Sequence, residues 1–152
     1  MPERLGHVGV LAVEFFVTAD GLVANEMAPR VHNSAHWTID GAVTSQFENH
    51  VRAVCDEPLG STDLRGPSAM VNLVGAMPGR SDLLAVPGAR LHDYAKAPRP
   101  GRKLGHVNVC AADERVRDAQ LRVLEELVAR AGDEAGAGAA GAAARGPAAA
   151  GR

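Results

Sequence analysis

The sequence predicts an α+β protein: an antiparallel sheet with a helix, followed by a small β-rich domain that a longer helix closes. Three observations predict this fold. Two β-branched and aromatic runs flank a turn near the start of the chain, two segments carry apolar residues at helical spacing, and short apolar runs separated by Gly and Pro lie between those segments. We expect a first domain over residues 1–66, a second over residues 67–132, and an Ala/Gly-rich tail over residues 133–152.

Composition limits the classes of function. The chain has 152 residues, of which 46% are hydrophobic and 22% charged, enough apolar material for one core or two small ones. Its net charge of -2 provides no basic field for nucleic acid or an anionic membrane. Cys55 and Cys110 form no C-x-x-C motif, and the first residues fit neither a signal peptide nor a membrane span. We therefore expect a cytoplasmic protein with reduced cysteines.

The first element is a hairpin. Residues 8–17 and 22–27 are mostly apolar, residues 18–21 are Thr-Ala-Asp-Gly, and Pro29 should end the second strand. Each run carries one glutamate, Glu14 or Glu26, among its apolar residues. A carboxylate in such a position costs free energy unless it is paired or solvated.

The turn decides whether the two glutamates meet. A three-residue loop ending at Gly21 places Glu14 directly opposite Glu26, with about 4.5–5.5 Å between the Cβ atoms. Two like charges at that distance require a cation, and oxygen ligands favour magnesium. A two-residue turn of Asp20 and Gly21 instead places Glu14 opposite Met27, with the two glutamates on opposite faces of the sheet. Spacing alone leaves both registers open, and in the second one glutamate simply points to solvent.

A helix follows the loop. Ser45-Gln46-Phe47-Glu48 has the form of a capping box, and apolar residues recur behind it at helical spacing, which predicts a helix over about residues 45–56. The residues on the common face are Phe47, Val51, Val54 and Cys55. Pro and Gly then interrupt the pattern, which places a domain boundary near Gly66.

The second domain begins with short strands. Three apolar runs predict strands, at residues 69–74, 90–94 and 106–110, with a turn-rich stretch up to Pro87 and a basic loop between them. A helix is predicted from about residue 113 to residue 131, with Gly132 as its stop. The tail beyond it has too few large apolar side chains to offset its ordering entropy, so we expect it to be disordered.

Two loops offer polar groups suited to anions. After the hairpin, Arg30 provides a bidentate fork for a carboxylate or bicarbonate, and Asn33 and Ser34 can add hydrogen bonds. In the second domain, cationic side chains lie among Pro and Gly, which favours a phosphate site; they are Lys96, Arg99, Arg102 and Lys103. The alternatives are an ordinary surface ion pair for the first loop and a solvated charge cluster for the second. His32 and His36 could equally be structural histidines.

Two long motifs resemble one enzyme family. Residues 13–38, with the pattern V-E-F-F-V-x-x-x-G-L-V-A-N-E-M-A-P-R-V-H-N-S-A-H-W-T, resemble the final strands and substrate loop of the ATP-grasp domain in the 5-(carboxyamino)imidazole ribonucleotide synthase family. Residues 94–106, Y-A-K-A-P-R-P-G-R-K-L-G-H, resemble the C-terminal signature of the same family. The two motifs occur in the right order and lie within residues 8–109.

The resemblance implies an ATP- and Mg²⁺-dependent ligase of purine biosynthesis. Bicarbonate is phosphorylated to carboxyphosphate, and the carboxyl group then passes to the exocyclic amine of aminoimidazole ribonucleotide. Carried over by position, the site residues are Glu14 and Glu26 for magnesium, Asn25 and Glu26 for the nucleotide, Arg30, His32 and Asn33 for bicarbonate or the transferred carboxyl group, and Lys96, Arg102 and Lys103 for the ribonucleotide 5′-phosphate. Ala28 departs from the wider superfamily, where an Asn is common, so phosphate and water would complete more of the metal shell.

The resemblance also implies an incomplete enzyme. No Gly-rich phosphate-covering loop or N-terminal βαβ unit precedes the hairpin, so we expect the C-terminal portion of the ligase, with exposed apolar surface and little activity alone. The family is often homodimeric. One alternative is a non-catalytic remnant or phosphate-binding module. A third reading, a segment of the formate-dependent glycinamide ribonucleotide transformylase, fits the two motifs less well.

Overall fold

The computed structural model describes residues 6–143, with side chains described up to residue 135. The chain divides into two compact units, Met1–Ser68 and Ala69–Arg152. The first contains β1 (Ala12–Thr18), β2 (Gly21–Ala28), a 3-10 turn at Asn33–Ala35, α1 (Thr38–Gly41) and α2 (Gln46–Val54). The second contains α3 (Arg80–Ala85), β4 (Ala89–Asp93), β5 (Lys103–Cys110) and α4 (Glu114–Ala143), while β3 (Ser68–Val74) begins at the boundary. The predicted α+β class is confirmed.

The hairpin pairs the two glutamates, but through a turn and a bulge that differ from both predicted registers. Thr18 pairs with Gly21, so the turn has two residues, Ala19 and Asp20, and a bulge lies between Glu14 and Phe15 on the register. The bulge leaves Asn25 as the extra residue of β2, and beyond it Glu14 pairs with Glu26. Both expected loops are therefore wrong, although the cross-strand glutamate pair of the first register is confirmed. Gly21 adopts a φ of 124°, which only glycine reaches without strain.

The first strand begins later than predicted. β1 starts at Ala12 rather than at residue 8, because the backbone there is committed elsewhere. The amide of Val10 donates to Nδ1 of His50 at 3.1 Å, and Gly9 has a φ of 109° beside the same imidazole. The end of β2 at Ala28, directly before Pro29, agrees with the prediction.

Helix α2 has the predicted cap. The hydroxyl of Ser45 accepts a hydrogen bond from the amide of Glu48 at 3.2 Å, which satisfies one of the free donors of the first turn. The side of α2 that carries the apolar residues is largely exposed, with Val51 and Val54 about 60% accessible. Only Gln46 of this helix is buried.

The second unit has an apolar core. Its sheet has the order β3-β5-β4, with β4 and β5 antiparallel and β5 in the centre. Residues 104–109 of β5 are all buried, and their aliphatic side chains pack with residues of β3, α3 and α4. The buried members of the cluster are Leu73, Leu83, Val86, Leu104, Val107, Val109 and Leu124.

Two predictions for the second unit are wrong. Helix α3 lies in the stretch expected to contain only turns. It starts after Gly79 and buries Leu83 in the apolar core. Its six residues are too few to show a helical period of apolar side chains. Helix α4 continues through Gly132 to Ala143. A glycine costs only about 1 kcal/mol relative to alanine within a helix, and the alanine-rich flanks favour propagation. The disorder expected for the tail stays a prediction at residues 144–152, which lie outside the described residues.

Within residues 6–143, no helix is long and apolar enough to cross a membrane.

Candidate functional site

The hairpin and the loop after it bring two carboxylates and an imidazole together. Glu14 and Glu26 face each other across β1 and β2, and the loop that follows β2 places His32 against both. The Nε2–H of His32 donates to Oε1 of Glu26 at 2.7 Å, and Nδ1 of the same ring lies 3.1 Å from Oε1 of Glu14. The ligand atoms of the three residues lie within 4.8 Å of one another. We call these three residues the carboxylate cluster.

Buried hydrogen bonds hold His32 in this position. Gln46, at the start of α2, accepts from the amide of His32 at 2.9 Å and donates to its carbonyl at 2.7 Å. The same amide group of Gln46 lies 2.8 Å from Nδ1 of His36, and the hydroxyl of Ser34 lies 2.9 Å from Nδ1 of His32. His32 is only 7% exposed; Gln46 holds its backbone, and the bonds to Ser34 and Glu26 hold its ring.

The exposure of the cluster is graded. The side chain of His32 is 9% exposed, that of Glu14 is 32% exposed and that of Glu26 is 52% exposed. The imidazole is thus the most buried member of the cluster, and the two glutamate side chains are partly exposed. Such an arrangement leaves oxygen lone pairs accessible to a cation or to solvent.

A second polar site surrounds Tyr94, directly after β4. The ammonium group of Lys96 lies 5.2 Å from the centroid of the Tyr94 ring, and that of Lys103 lies 5.6 Å from it. Both distances are within the range of cation–π attraction. The basic loop therefore gathers two of its cations around one aromatic ring. Arg102 donates from Nη1 to the carbonyl of Ala97 at 3.4 Å.

The central strand supports the ring of Tyr94. The Tyr94 hydroxyl is hydrogen-bonded to Nδ1 of His106 at 2.9 Å, and the two rings meet edge to face at 5.8 Å. His106 is 1% exposed and stacks on His92 of β4 at 4.5 Å. A Cβ atom on Gly105 would lie 2.4 Å from the carbonyl oxygen of His92, so glycine is required for this close approach of β4 to β5.

Two groups of this site have shifted ionisation. Burial lowers the pKa of Lys103 from its ordinary value of 10.5, and the nearby charge of Lys96 lowers it further. Burial raises the pKa of Tyr94 above its ordinary value of 10.0, so the phenol keeps its proton through neutral pH. The site is thus a neutral phenol ring with cations beside it.

The comparisons with known proteins identify the family. Residues 1–47 match the model of the ATP-grasp domain, and residues 68–120 match the phosphoribosylaminoimidazole carboxylase C-terminal domain. The N5-carboxyaminoimidazole ribonucleotide synthase of Pseudomonas aeruginosa is 54% identical over 125 residues, which are 82% of this chain and 35% of that protein. The chain belongs to the N5-carboxyaminoimidazole ribonucleotide synthase family. The resemblance inferred from the two motifs is confirmed.

Solved structures of N5-carboxyaminoimidazole ribonucleotide synthases share the fold. The synthetase from Thermus thermophilus superposes with a TM-score of 0.79 at 56% identity and covers 83% of this chain and 35% of its own. The Aspergillus clavatus synthase in complex with ADP and 5-aminoimidazole ribonucleotide has a TM-score of 0.71 at 36% identity. The match covers 80% of this chain and 35% of that synthase. The chain therefore spans about a third of the length of the relatives it matches.

The remaining residues expected from the synthase resemblance are placed as follows. Arg30 is exposed and donates from Nη1 to the carbonyl of Val31 at 3.0 Å, away from the carboxylate cluster. Asn25 is the exposed bulge residue of β2, and Asn33 begins the 3-10 turn beside His32. Arg99 contributes its carbonyl oxygen, which accepts from the amide of Arg102 at 3.1 Å.

Sequence reasoning missed three residues that hold these sites together. Gln46 was assigned only to the helix cap, and Tyr94 and His106 were quoted within a motif but given no role. Only one signal was available: a polar residue inside an otherwise apolar pattern, as at His106 within β5. The two hydrogen bonds between the side chain of Gln46 and the backbone of His32 join residues 14 apart, so no local sequence pattern predicts them.

Proposed function

We propose that this chain provides part of an ATP-dependent ligase that converts 5-aminoimidazole ribonucleotide and bicarbonate to N5-carboxyaminoimidazole ribonucleotide through carboxyphosphate, in purine biosynthesis. The carboxylate cluster carries the proposal, because it lies inside the region that matches the ATP-grasp domain. The relative from Aspergillus clavatus, solved with ADP and 5-aminoimidazole ribonucleotide, supports the choice of substrates. The match of residues 68–120 favours carboxylation over the formate-dependent alternative.

The donor set of the cluster fits magnesium. Glu14 and Glu26 offer hard carboxylate oxygens on adjacent strands, and these oxygens are at least partly exposed. Imidazole nitrogen is a poorer ligand for magnesium than oxygen is. We therefore assign the two glutamates to the metal. When bound, magnesium would neutralise negative charge on the nucleotide phosphates and on the transferring phosphoryl group.

His32 is assigned to positioning. Its Nε2–H bond to Glu26 fixes one carboxylate, and its Nδ1, which lies 3.1 Å from Oε1 of Glu14, accepts from the amide of Ser34. Gln46 holds the backbone on both sides of the ring. The resemblance implies that His32 contacts bicarbonate directly. Because both ring nitrogens already have partners, we assign His32 instead to orienting the glutamate ligands.

The anionic co-substrate is assigned to the rest of the loop. Arg30 is exposed, and its Nη1 donates to the neighbouring carbonyl of Val31, so its guanidinium can turn to a carboxylate at little cost. Asn33, at the start of the 3-10 turn, is the neutral donor next to it. Asn25, which projects from the bulge, is assigned with Glu26 to the nucleotide.

The basic loop is assigned to the 5′-phosphate of the ribonucleotide. Lys96 and Lys103 lie beside the ring of Tyr94, and Arg102 directly precedes Lys103 in the chain. A dianionic phosphate would offset the mutual repulsion of the two lysines. Of these, Lys103 has its pKa lowered, by burial and by the charge of Lys96, so a bound phosphate would favour its charged form.

The chain alone is proposed to lack ligase activity. It spans about a third of its relatives, and the large apolar residues of the hairpin are exposed, with Phe16 at 58% and Val17 at 85%. An exposed apolar surface of this kind is typical of a face that other protein covers. Homodimerisation is a further proposal, carried only by the family resemblance.

The test is ATP hydrolysis that depends on both bicarbonate and aminoimidazole ribonucleotide. We expect none from the 152-residue chain and substrate-dependent turnover from a form extended with upstream coding sequence. In the extended form, Glu26→Gln should lower kcat/KM by about 100-fold or more, the order seen when one electrostatic stabiliser is lost. Glu57→Gln, which changes an exposed glutamate of the same unit, is the matched control and should change it less than twofold, as is usual for surface changes.

Two results would contradict the proposal. Substrate-dependent turnover by the chain alone would show that no further lobe is needed. An extended form that binds aminoimidazole ribonucleotide but is indifferent to Glu26→Gln would remove the carboxylate cluster from the reaction and favour a binding module.

A further inference from the structure

Two lysines that should repel each other lie around one aromatic ring in the second unit. Lys96 and Lys103 come from different places in the chain, the loop after β4 and the first residue of β5. Their ammonium groups lie 5.2 Å and 5.6 Å from the centroid of Tyr94. Burial lowers the pKa of Lys103, and the charge of Lys96 lowers it further. Attraction to the shared ring offsets part of the repulsion between the two lysines before an anion arrives.

The ring of Tyr94 supplies that attraction. The face of an aromatic ring carries negative partial charge, and a cation within about 6 Å of its centroid is attracted to it. One phenol therefore attracts both ammonium groups at once. Burial raises the pKa of Tyr94, so the ring acts as a neutral aromatic and not as a phenolate counter-ion.

The ring of Tyr94 is held in place by a buried histidine. Its hydroxyl is hydrogen-bonded to Nδ1 of His106, which is 1% exposed in the central strand. His106 is in turn stacked on His92 at an interplanar angle of 10°. A long lysine side chain placed against a fixed ring loses fewer conformations on binding than a free one, because part of its ordering is already done.

We propose that Tyr94 is a positioning residue of the anion site, which uses its ring face to hold Lys96 and Lys103 together and its hydrogen bond to His106 to fix where they converge. This inference rests on the proposed assignment of the two lysines to the substrate phosphate. It adds a residue that does not itself need to touch the phosphate. Arg102 donates its hydrogen bond to the carbonyl of Ala97 and is not part of the proposed role of Tyr94.

A pair of substitutions separates the two functions of Tyr94. Both Tyr94→Phe and Tyr94→Leu remove the hydroxyl and its bond to His106, but only Tyr94→Leu removes the ring face. The probe is ribose 5-phosphate, titrated into the 152-residue chain and followed by NMR. We expect Tyr94→Phe to raise Kd about twofold and Tyr94→Leu to raise it about five- to tenfold, in line with two lost cation–π contacts.

A spectroscopic signature distinguishes positioning from a general loss of structure. The side-chain methylene protons of Lys96 and Lys103 should show ring-current shifts in the unliganded chain. The shifts should persist in Tyr94→Phe and vanish in Tyr94→Leu, while the amide spectrum of β5 stays dispersed in both. Arg80→Gln, an exposed cation at the start of α3, is the control for non-specific charge and should leave Kd unchanged.

Every outcome decides between the proposals. Equal weakening in the Phe and Leu variants, or wild-type affinity in Tyr94→Leu, would overturn the role of the ring face and leave the phosphate site intact. Absence of saturable binding to the wild-type chain, or unchanged binding in Lys103→Met, would overturn the phosphate assignment and this inference with it.

Discussion

The two units of the chain bury different chemistry. In the second unit the fully buried side chains are mainly large and aliphatic, as at Leu73, Leu83 and Leu104. In the first unit the described buried residues are small or polar, such as Ala28, His32 and Gln46, while Val17 and Phe16 are exposed. The second unit thus has its own core, whereas the first presents its apolar side chains outward.

This difference indicates how each unit is stabilised. Hydrophobic burial is the dominant favourable term in folding, and the second unit has that term within its own residues. The first unit depends on a hairpin ladder and on buried hydrogen bonds around His32, which are worth less in net terms. The carboxylate cluster is therefore built on the less self-sufficient part of the molecule, the part that other protein is expected to cover.

The largest effect should come from truncating the core of the second unit. Leu104→Ala removes a side chain that is 0% exposed, and we expect it to lower the free energy of unfolding of that unit by about 2–5 kcal/mol. Val17→Ala, at a side chain that is 85% exposed, should change the stability of the first unit by less than about 0.5 kcal/mol. Amide hydrogen exchange reports each unit separately.

A large loss from Val17→Ala would break the comparison. It would mean that the hairpin is already covered in solution, for instance by a second copy of the chain. Sedimentation at several concentrations would then show an associated species.

The next largest effect concerns Gln46. Gln46→Ala leaves both the amide and the carbonyl of His32 without their buried partner, and we expect the first unit to lose about 1–3 kcal/mol. The amides of residues 32–35 should exchange faster, and the second unit should be unaffected. Asn49→Ala is a suitable control, because Asn49 makes two side-chain bonds to the backbone of Gly60 but none to His32. Faster exchange at His32 in both variants would show that α2 acts as a whole.

The sequence predicted local features better than long-range ones. The Ser45 cap, the end of β2 before Pro29 and the strands of the second unit follow from neighbouring residues, and the structure has each of them. The glutamate pairing was predicted through the wrong turn, since a bulge at Asn25 is set by the pairing of both strands and not by the turn residues.

Candidate site residues could be named from the sequence where they stand out against apolar strands or lie in a recognisable motif, as do Glu14, Glu26, His32 and Lys103. Residues that support them, such as Gln46 and His106, act across 12 residues or more and look like ordinary polar residues in sequence. The end of α4 was missed because Gly132 does not stop the helix, which includes four glycines among its alanines up to Ala143, each at a cost of about 1 kcal/mol relative to alanine.

The smallest effect is a pH dependence of the anion site. Burial and the charge of Lys96 lower the pKa of Lys103, so it loses its proton at a lower pH than an ordinary lysine with a pKa of 10.5. Two other titratable groups lie near this site. Tyr94 has a raised pKa, and its hydroxyl is hydrogen-bonded to the imidazole of His106. Since a phosphate favours charged Lys103, ribose 5-phosphate binding should weaken as pH rises toward 10.5 and should be accompanied by proton uptake.

The weakening should be about two- to fivefold, because an exposed charge pair contributes about 0.2–1 kcal/mol. Lys103→Arg keeps its charge over this range, so its Kd should stay flat until Lys96 titrates. A wild-type Kd that is constant up to the ordinary lysine range, or an identical fall in Lys103→Arg, would mean that Lys103 is not the group whose charge the phosphate uses. That result would leave the second unit with a stable core but without an anion site at Lys103. Arg102 would then become the candidate cation for the phosphate.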